Sequence, residues 1–200
     1  ISVCVGALPV AIGTQTAGSI LRPSSYCGVI GFKPTYGAID RIGVLKTNDL
    51  SDTVGIISRD FDGVKKVFNT IVKIGKDYPW TINYKKNYYE YKNKKNIKIG
   101  FFDDSLRVYK NFNGETKFEY METILKLKKK GIMLSKIKNQ KIFDSFHDNF
   151  YTTYHNSLYY YLKNINPKFL GLSKILKKII HQGKKINNKK KIFSIQTISN

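Results

Sequence analysis

Short apolar runs separated by glycines occupy the first 60 residues of this 200-residue chain. Examples are Val29-Ile30 and Val54-Gly55-Ile56-Ile57, set among many Gly, Ser and Thr residues. This texture is typical of short buried strands and tight loops in an α/β core. Hydrophobic residues make up 42% of the chain, which excludes a sequence that is disordered throughout.

A helical pattern replaces this texture after residue 60. Apolar residues recur at three- and four-residue spacing from Phe61 to Val72, and Asp60 is suited to be the N-cap. Gly131 is suited to follow the end of a second helix, over residues 115–130. A third, aromatic-faced helix is predicted over 143–163, and Pro167 is expected to open a fourth that fades near Gly183.

Two strands are predicted among these helices, at 97–102 and 132–138. Residues 76–96 indicate a polar connection, and no element is predicted for the last dozen residues. The order of helix, strand, helix, strand and helix indicates an α/β fold with a helical annex.

Positive charge is concentrated in the second part of the chain. Residues 1–60 hold five Lys and Arg against four acids, whereas residues 61–200 hold 30 against ten. Stretches 83–98 and 184–191 suit phosphate binding, with tyrosines stacking on bases. However, the excess is in Lys rather than Arg, as A/T-rich codons produce, and Arg is the better phosphate ligand. We therefore interpret the charge as favouring solubility and weak non-specific binding, with no specific nucleic-acid partner.

Nothing in the sequence indicates a membrane, a metal or an organic cofactor. Cys4 and Cys27 cannot form a disulfide scaffold or a thiolate metal site. No apolar run approaches the ~20 residues that span a bilayer. The chain starts at Ile1 without the basic region of a signal peptide, as if inside an element already in progress. We expect a cytoplasmic protein and a fragment of a longer chain.

The segment Gly13-Thr14-Gln15-Thr16-Ala17-Gly18-Ser19 has the composition of an anion-binding loop. Gly18 has no Cβ and Ala17 only a methyl group, so the backbone can turn sharply and be approached closely. Successive N–H groups there suit a developing oxyanion. Ser19 follows as a nucleophile would, and Arg22 lies one helical turn further on. Taken alone, the pattern is more often a turn with a Ser or Thr N-cap.

Other catalytic patterns fit this loop poorly. It lacks the Gly-Lys-Ser/Thr ending of a P-loop and the three-glycine spacing of a dinucleotide fingerprint. The histidines, His147, His155 and His181, all lie beyond residue 60. Local pattern therefore does not support a Ser–His–Asp arrangement, and we expect these histidines to be surface or half-buried residues.

Extended to Gly37, the string resembles the second half of the amidase signature, and it reads GTQTAGSILRPSSYCGVIGFKPTYG. The stretches 50–55 and 58–60 resemble the segment that follows in the same family. The resemblance implies an α/β/α fold with a mixed central sheet covered by helices, here incomplete. Residues 1–60 are then the C-terminal half of the signature core with the nucleophile loop. Residues 61–200 are a variable α/β region that continues the same domain.

The resemblance also implies an activity, because the family consists of hydrolases and amidotransferases with a Ser–cis-Ser–Lys triad. Ser19 matches the nucleophile that forms the acyl-enzyme. Thr16, Ala17 and Gly18 match the backbone of the oxyanion hole, and Arg22 matches a position that binds a substrate carboxylate in some small-amide hydrolases. The expected reaction is hydrolysis of a small linear amide without a cofactor.

The sequence departs from the family in one respect. The family's catalytic Lys and bridging Ser precede the position of Ile1, and neither Ser2 nor Lys33 substitutes for them. We therefore expect the isolated chain to be inactive although its parent is an amidase.

Alternative functions stay open. In tRNA-dependent amidotransferase A subunits a Ser-Asp-Thr-Gly-Gly run is more usual at residues 14–18, so Thr-Gln-Thr-Ala-Gly favours a free-standing small-amide hydrolase. The glutaminase A subunit of such an amidotransferase is nevertheless an alternative. A basic nucleic-acid-binding module and a remnant without function are two more. The sequence identifies neither the natural amide nor the oligomeric state.

Overall fold

The computed structural model describes residues 1–72, 98–103, 107–137 and 140–199. The described residues belong to two compact units. One contains residues 1–72 and Tyr154–Lys185, and the other contains the described residues from 98 to 153 together with 186–199. The predicted connection at 76–96 lies outside the described residues, and the predicted division of the domain at residue 60 stays a prediction.

The first unit contains a three-stranded antiparallel sheet in the order β1-β3-β2. Its strands are β1 (Val10–Gln15), β2 (Ile30–Phe32) and β3 (Thr53–Ser58). In the central strand β3, Ser58 is the register partner of Val10 on one side and of Ile30 on the other. All of β3 except Ile57 is buried, which suits its Val and Ile content. The apolar run at 54–57 is thus confirmed as part of β3, whereas only Ile30 of the run at 29–30 lies in β2.

Residues 1–8 form turns, so the expectation of a regular element there is wrong. The Val5 N–H donates to the Ile1 carbonyl at 3.0 Å, and the Leu8 N–H donates to the Ser2 carbonyl at 3.2 Å. Gly6 has a φ of +81°, which interrupts any strand or helix at that point.

The buried side chain of Ile20 packs between the sheet and the short helix α1 (Leu21–Tyr26). Ile20 is fully buried and contacts the backbone of β3 at Gly55. The Ser24 hydroxyl on α1 donates to the Ile20 carbonyl at 2.7 Å and lies against Gly31 of β2. The close approach of α1 to the sheet therefore requires residues without a Cβ at 31 and 55.

Helix α2 (Phe61–Ile71) begins as predicted, since the Asp60 carboxylate accepts a hydrogen bond from the Gly63 N–H at 2.6 Å. The aromatic ring of Phe68 meets that of Phe32 edge to face, with 5.3 Å between their centroids. This contact packs α2 against β2.

The second unit pairs two parallel strands, β4 (Lys98–Phe101) and β5 (Met133–Lys136). The segment of chain that connects these two strands contains the helices α3 (Arg107–Lys110) and α4 (Gly114–Lys129). The Gly131 N–H donates to the Lys128 carbonyl, and the Ile132 N–H donates to the Leu127 carbonyl. With a φ of +74° at Gly131, this is a Schellman ending. The predicted strands and the helix with its terminal glycine are confirmed.

Three helices complete the described chain: α5 (Gln140–Ile165), α6 (Lys174–Lys184) and α7 (Asn188–Ser199). Residues 140–153 of α5 belong to the second unit and 154–165 to the first. The aromatic helix predicted at 143–163 is confirmed as α5, and residues 188–199, for which almost no element was predicted, form α7. The α/β fold class is likewise confirmed.

None of the helices in the described ranges is long and apolar enough to cross a membrane.

The predicted helix start at Pro167 is wrong, because α6 begins after Ser173, whose hydroxyl accepts a hydrogen bond from the Leu176 N–H at 3.2 Å. The Asn166 carboxamide both accepts from the Leu170 N–H and donates to the Leu170 carbonyl. These bonds hold residues 166–170 in a turn, so the helix cannot start at the proline.

Substitution of Gly55 tests the contact between Ile20 and β3. A Cβ at Gly55 would overlap Ile20 Cδ1 and lie 2.5 Å from the Phe32 carbonyl oxygen, so Gly55→Ala is expected to destabilise the protein by about 1–3 kcal/mol. Gly13 is the register partner of Gly55, but a Cβ there meets only Ile20 Cγ1, at 3.9 Å. Urea denaturation should find Gly13→Ala nearly neutral, and equal losses for both variants would contradict the proposed contact.

Candidate active site

The loop that joins β1 to α1 carries Ser19. Ser19 is exposed, and its hydroxyl makes no hydrogen bond with any described residue. The chain turns directly into α1 after it, since the Arg22 N–H donates to the Gly18 carbonyl at 2.9 Å. The Ser19 hydroxyl is thus reachable from solvent at the end of a loop whose ends are fixed by secondary structure.

The side chain of Gln15 holds this loop in shape. Gln15 is the last residue of β1 and is 4% exposed. Its Oε1 accepts hydrogen bonds from the N–H groups of Ile20 at 2.8 Å and Leu21 at 3.0 Å. Its Nε2 donates to the Ala17 carbonyl at 3.1 Å. One buried carboxamide therefore binds both arms of the loop, a role that sequence reasoning missed.

The backbone N–H groups of Thr16, Ala17, Gly18 and Ser19 make no hydrogen bond within the described part of the chain. Four unpaired donors beside an exposed hydroxyl are suited to stabilise an oxyanion. The conformation at Gly18 does not itself need a glycine. Its φ lies outside the left-handed region, and a Cβ there would meet only Arg22 Cβ, at 3.8 Å.

Thr16 anchors the base of the loop to a buried carboxylate. Its hydroxyl donates to Asp52 Oδ1 at 2.6 Å and lies 2.8 Å from the Thr47 hydroxyl. The other oxygen, Asp52 Oδ2, accepts from the N–H groups of Thr47 at 2.7 Å and Asn48 at 2.8 Å. Asp52 is thus satisfied at both oxygens, and the segment around residues 47–52 is tied to the nucleophile loop.

A buried guanidinium compensates the charge of this network. Arg41 is 5% exposed, and its Nη2 lies 3.3 Å from Asp49 Oδ1 and 3.3 Å from the Tyr36 hydroxyl. Its Nη1 lies 3.7 Å from Asp52 Oδ2. The guanidinium also lies 5.4 Å from the centroid of the Tyr36 ring. A buried cation between two carboxylates is favourable only in such a fully paired arrangement.

Tyr161, on α5, extends the network into the second half of the sequence. Its hydroxyl donates a hydrogen bond to Asp49 Oδ2. Burial raises the pKa of Tyr161 well above its usual value, and the hydrogen bond to the Asp49 carboxylate raises it further. The phenol is therefore neutral and remains a donor to Asp49 over the physiological pH range.

Arg22 and the other polar residues weighed in the sequence analysis have different surroundings. Arg22 is exposed and forms no ion pair with a described residue. Lys33 Nζ donates to the Pro34 carbonyl at 2.8 Å, and burial lowers the pKa of Lys33. His147 and His181 are exposed and His155 is half-buried, as expected. In the described ranges, no cluster of His, Cys, Asp or Glu could hold a metal ion.

The family described as Amidase matches residues 1–192 of the chain, so the chain belongs to the amidase family. This match extends well beyond the first third of the sequence, where the signature motif lies.

Curated relatives of the chain are named as the A subunit of glutamyl-tRNA(Gln) amidotransferase. The protein from Fusobacterium nucleatum is 36% identical over 103 residues, which cover 50% of this chain and 21% of that protein. The protein from Halothermothrix orenii is 30% identical over 139 residues, which cover 68% of this chain and 29% of that protein. The chain therefore spans less than a third of the length of these relatives.

Solved structures share the fold at low sequence identity. An allophanate hydrolase from Kluyveromyces lactis has a TM-score of 0.81 and 18% identity, covering 98% of this chain and 33% of that protein. A 6-aminohexanoate cyclic dimer hydrolase complexed with substrate has a TM-score of 0.75 and 17% identity, covering 98% of this chain and 43% of that protein.

Removal of the Gln15 carboxamide tests its hold on the loop. Gln15→Ala leaves the buried Ile20 N–H and the part-buried Leu21 N–H without their acceptor, so a loss of about 1–3 kcal/mol of unfolding free energy is expected. Urea denaturation measures this loss, and an unchanged midpoint for Gln15→Ala would contradict the role of the Gln15 hydrogen bonds.

The raised pKa of Tyr161 predicts a loss of stability at alkaline pH. The folded protein keeps the phenol protonated above its usual pKa of 10.0, whereas the unfolded chain ionises there. The stabilisation is therefore complete below about pH 10 and falls as pH rises further. Urea midpoints between about pH 8 and 11 should show a smaller decline for Tyr161→Phe than for the wild type. Tyr160→Phe, on the exposed neighbour, should match the wild type.

Proposed function

We propose that the protein hydrolyses the C–N bond of small linear amides through an acyl-enzyme on Ser19. The observation that carries this proposal is the juxtaposition of an exposed Ser19 hydroxyl with the unpaired N–H groups of residues 16–19. Membership of the amidase family supports it, as does a fold shared with proteins named allophanate hydrolase and 6-aminohexanoate cyclic dimer hydrolase.

In the proposed reaction, Ser19 Oγ attacks the carbonyl carbon of the amide and forms a new C–O bond. The carbonyl π electrons move to the oxygen, which the backbone N–H groups of residues 16–19 stabilise. Collapse of this intermediate expels the nitrogen, which leaves with a proton as an amine or ammonia. Water then cleaves the Ser19 ester, releasing the carboxylic acid and restoring the hydroxyl.

Proton transfer needs a base that no described residue supplies by direct contact with Ser19. The resemblance to the amidase signature assigns this step to a Lys acting through a bridging Ser. It also assigns Arg22 to the substrate, where its exposed guanidinium would pair with a carboxylate on the amide. A cytoplasmic location, without a cofactor, completes the proposal.

The names of the curated relatives favour a second candidate function, the A subunit of a tRNA-dependent amidotransferase. In that case the amide substrate is glutamine, the released ammonia passes to a different polypeptide, and the protein works in a complex. The chemistry at Ser19 is the same in both proposals. The two differ in substrate and in the need for a partner protein.

Substitution of Ser19 in the whole protein tests the reaction. Ser19→Ala is expected to lower kcat/KM for amide hydrolysis at least about a thousandfold, because no acyl-enzyme can form. Ser25→Ala, at an exposed position on α1, should keep wild-type activity. A fluorophosphonate probe should label Ser19, as located by peptide mass spectrometry.

Two substrate arms separate the candidates. Turnover of simple amides by the protein alone supports the free-standing hydrolase, whereas glutamine turnover that requires co-purified partner proteins supports the amidotransferase. Activity that survives Ser19→Ala in both arms would overturn both proposals.

A further inference from the structure

Negative charge is absent from the C-terminal quarter of the sequence. Asp148 is the last acidic residue, and ten lysines follow it. The ten acidic residues between 61 and 148 show that a Lys-rich composition does not by itself exclude acids from this chain. The uncompensated positive charge after residue 148 therefore calls for an explanation in the structure.

Part of this charge surrounds a cavity of about 410 Å³ in the first unit. Lys177, His181 and Lys184 lie at helical spacing along one face of α6, and Lys168 contributes from the preceding turn. None of these four side chains forms an ion pair with a described residue. With Tyr159 and Phe169 they form what we call the basic-aromatic cavity.

Two aromatic rings also line the cavity. Tyr159 lies on α5 and Phe169 in the turn before α6, with 6.3 Å between ring centroids. Phe169 has a φ of +51°, a left-handed conformation that is unfavourable for a residue with a Cβ. Its N–H donates to the Asn166 carbonyl at 2.9 Å, and the Asn166 side chain holds Leu170. The fold thus accepts backbone strain at the residue whose ring faces Tyr159.

A close contact between helices fixes the walls of the cavity. A Cβ at Gly183 of α6 would overlap the His155 carbonyl oxygen of α5 and lie 3.0 Å from Tyr159 Cβ. The Asn156 side-chain amide also donates to the Gly183 carbonyl, at 3.4 Å. Because the two helices touch through backbone atoms here, the backbone of α6 is held at a set position relative to Tyr159.

We propose that the basic-aromatic cavity binds a nucleotide unit of single-stranded nucleic acid. A base stacks on the Tyr159 and Phe169 rings, and the flanking phosphates contact the lysines and His181. Charge complementarity selects an anion, and the paired rings select one that carries a planar group. The cavity volume is also within the range that accommodates a ligand of nucleotide size. This binding is independent of Ser19 chemistry.

The test measures binding of a fluorescent RNA of about 12 nucleotides to the protein by anisotropy across a salt series. The double variant Lys177→Ala/Lys184→Ala should weaken binding at least about tenfold and lower the slope of log K against log salt by about 1.4. The control Lys65→Ala/Lys66→Ala removes the same charge from exposed positions on α2. It should change the affinity much less, and equal effects of the two pairs would overturn the proposal.

Phe169→Asn separates stacking from charge, because Asn tolerates the left-handed conformation and removes only the ring. It should weaken RNA binding about 5- to 150-fold, while an unchanged affinity would overturn the proposed stacking of a base on the rings.

Competition by AMP would identify a free nucleotide as the natural ligand of the cavity. Stronger competition by phosphatidylserine vesicles than by unlabelled RNA would overturn the nucleic-acid partner in favour of a membrane surface. Ser19→Ala should bind RNA like the wild type, so failure of amide hydrolysis does not affect this test.

Discussion

The carboxamide of Gln15 determines the shape of the loop on which the proposed chemistry depends. It stands at the end of β1, where the sheet fixes its backbone, and it reaches across to the first residues of α1. By accepting from the Ile20 N–H, it satisfies a group that would otherwise be buried without a partner, and it also bonds to the Leu21 N–H and the Ala17 carbonyl. The N–H groups of residues 16–19 are left unpaired beside the Ser19 hydroxyl. The same short loop therefore contains both the hydrogen bonds of Gln15, which hold its shape, and the unpaired N–H groups beside Ser19.

A cluster of charged side chains is bonded to the base of this loop. The Asp52 carboxylate accepts hydrogen bonds from the Thr16 hydroxyl and from the backbone N–H groups of residues 47 and 48, and Arg41 lies between Asp52 and Asp49. Removing one partner of such a network leaves an uncompensated buried charge, which destabilises a protein more than replacing the whole ion pair by apolar residues does. Tyr161 closes the network through Asp49. The helical region of the first unit therefore contributes directly to the surroundings of the signature segment.

Local chemistry in the sequence determined several features of the fold. Asp60 caps α2 and Gly131 ends α4 as predicted, because capping involves groups only three to five residues apart along the chain. Strands β4 and β5 lie within the predicted segments 97–102 and 132–138, and the amidase signature identified Ser19 as the candidate nucleophile. In each case the decisive neighbours lie within a few residues in sequence. Glycine at position 55 was visible in the sequence, but its contact with Ile20 was not.

Tertiary structure alone decided which side chains hold the site together. Thr16 and Asp52 are 36 residues apart, and Asp49 and Tyr161 are 112 residues apart. No periodicity or local motif relates residues at such separations, since folding of the whole unit brings them into contact. The mispredicted start of α6 has a local cause instead, because the Asn166 side chain bonds to the backbone of Leu170, and this outweighs the preference of Pro167 for a first helical turn. The sequence by itself therefore determined the family, the fold class and the candidate nucleophile. The buried polar contacts that position the nucleophile were decided by the three-dimensional packing, because a buried polar group bonds to whichever partner the fold places beside it.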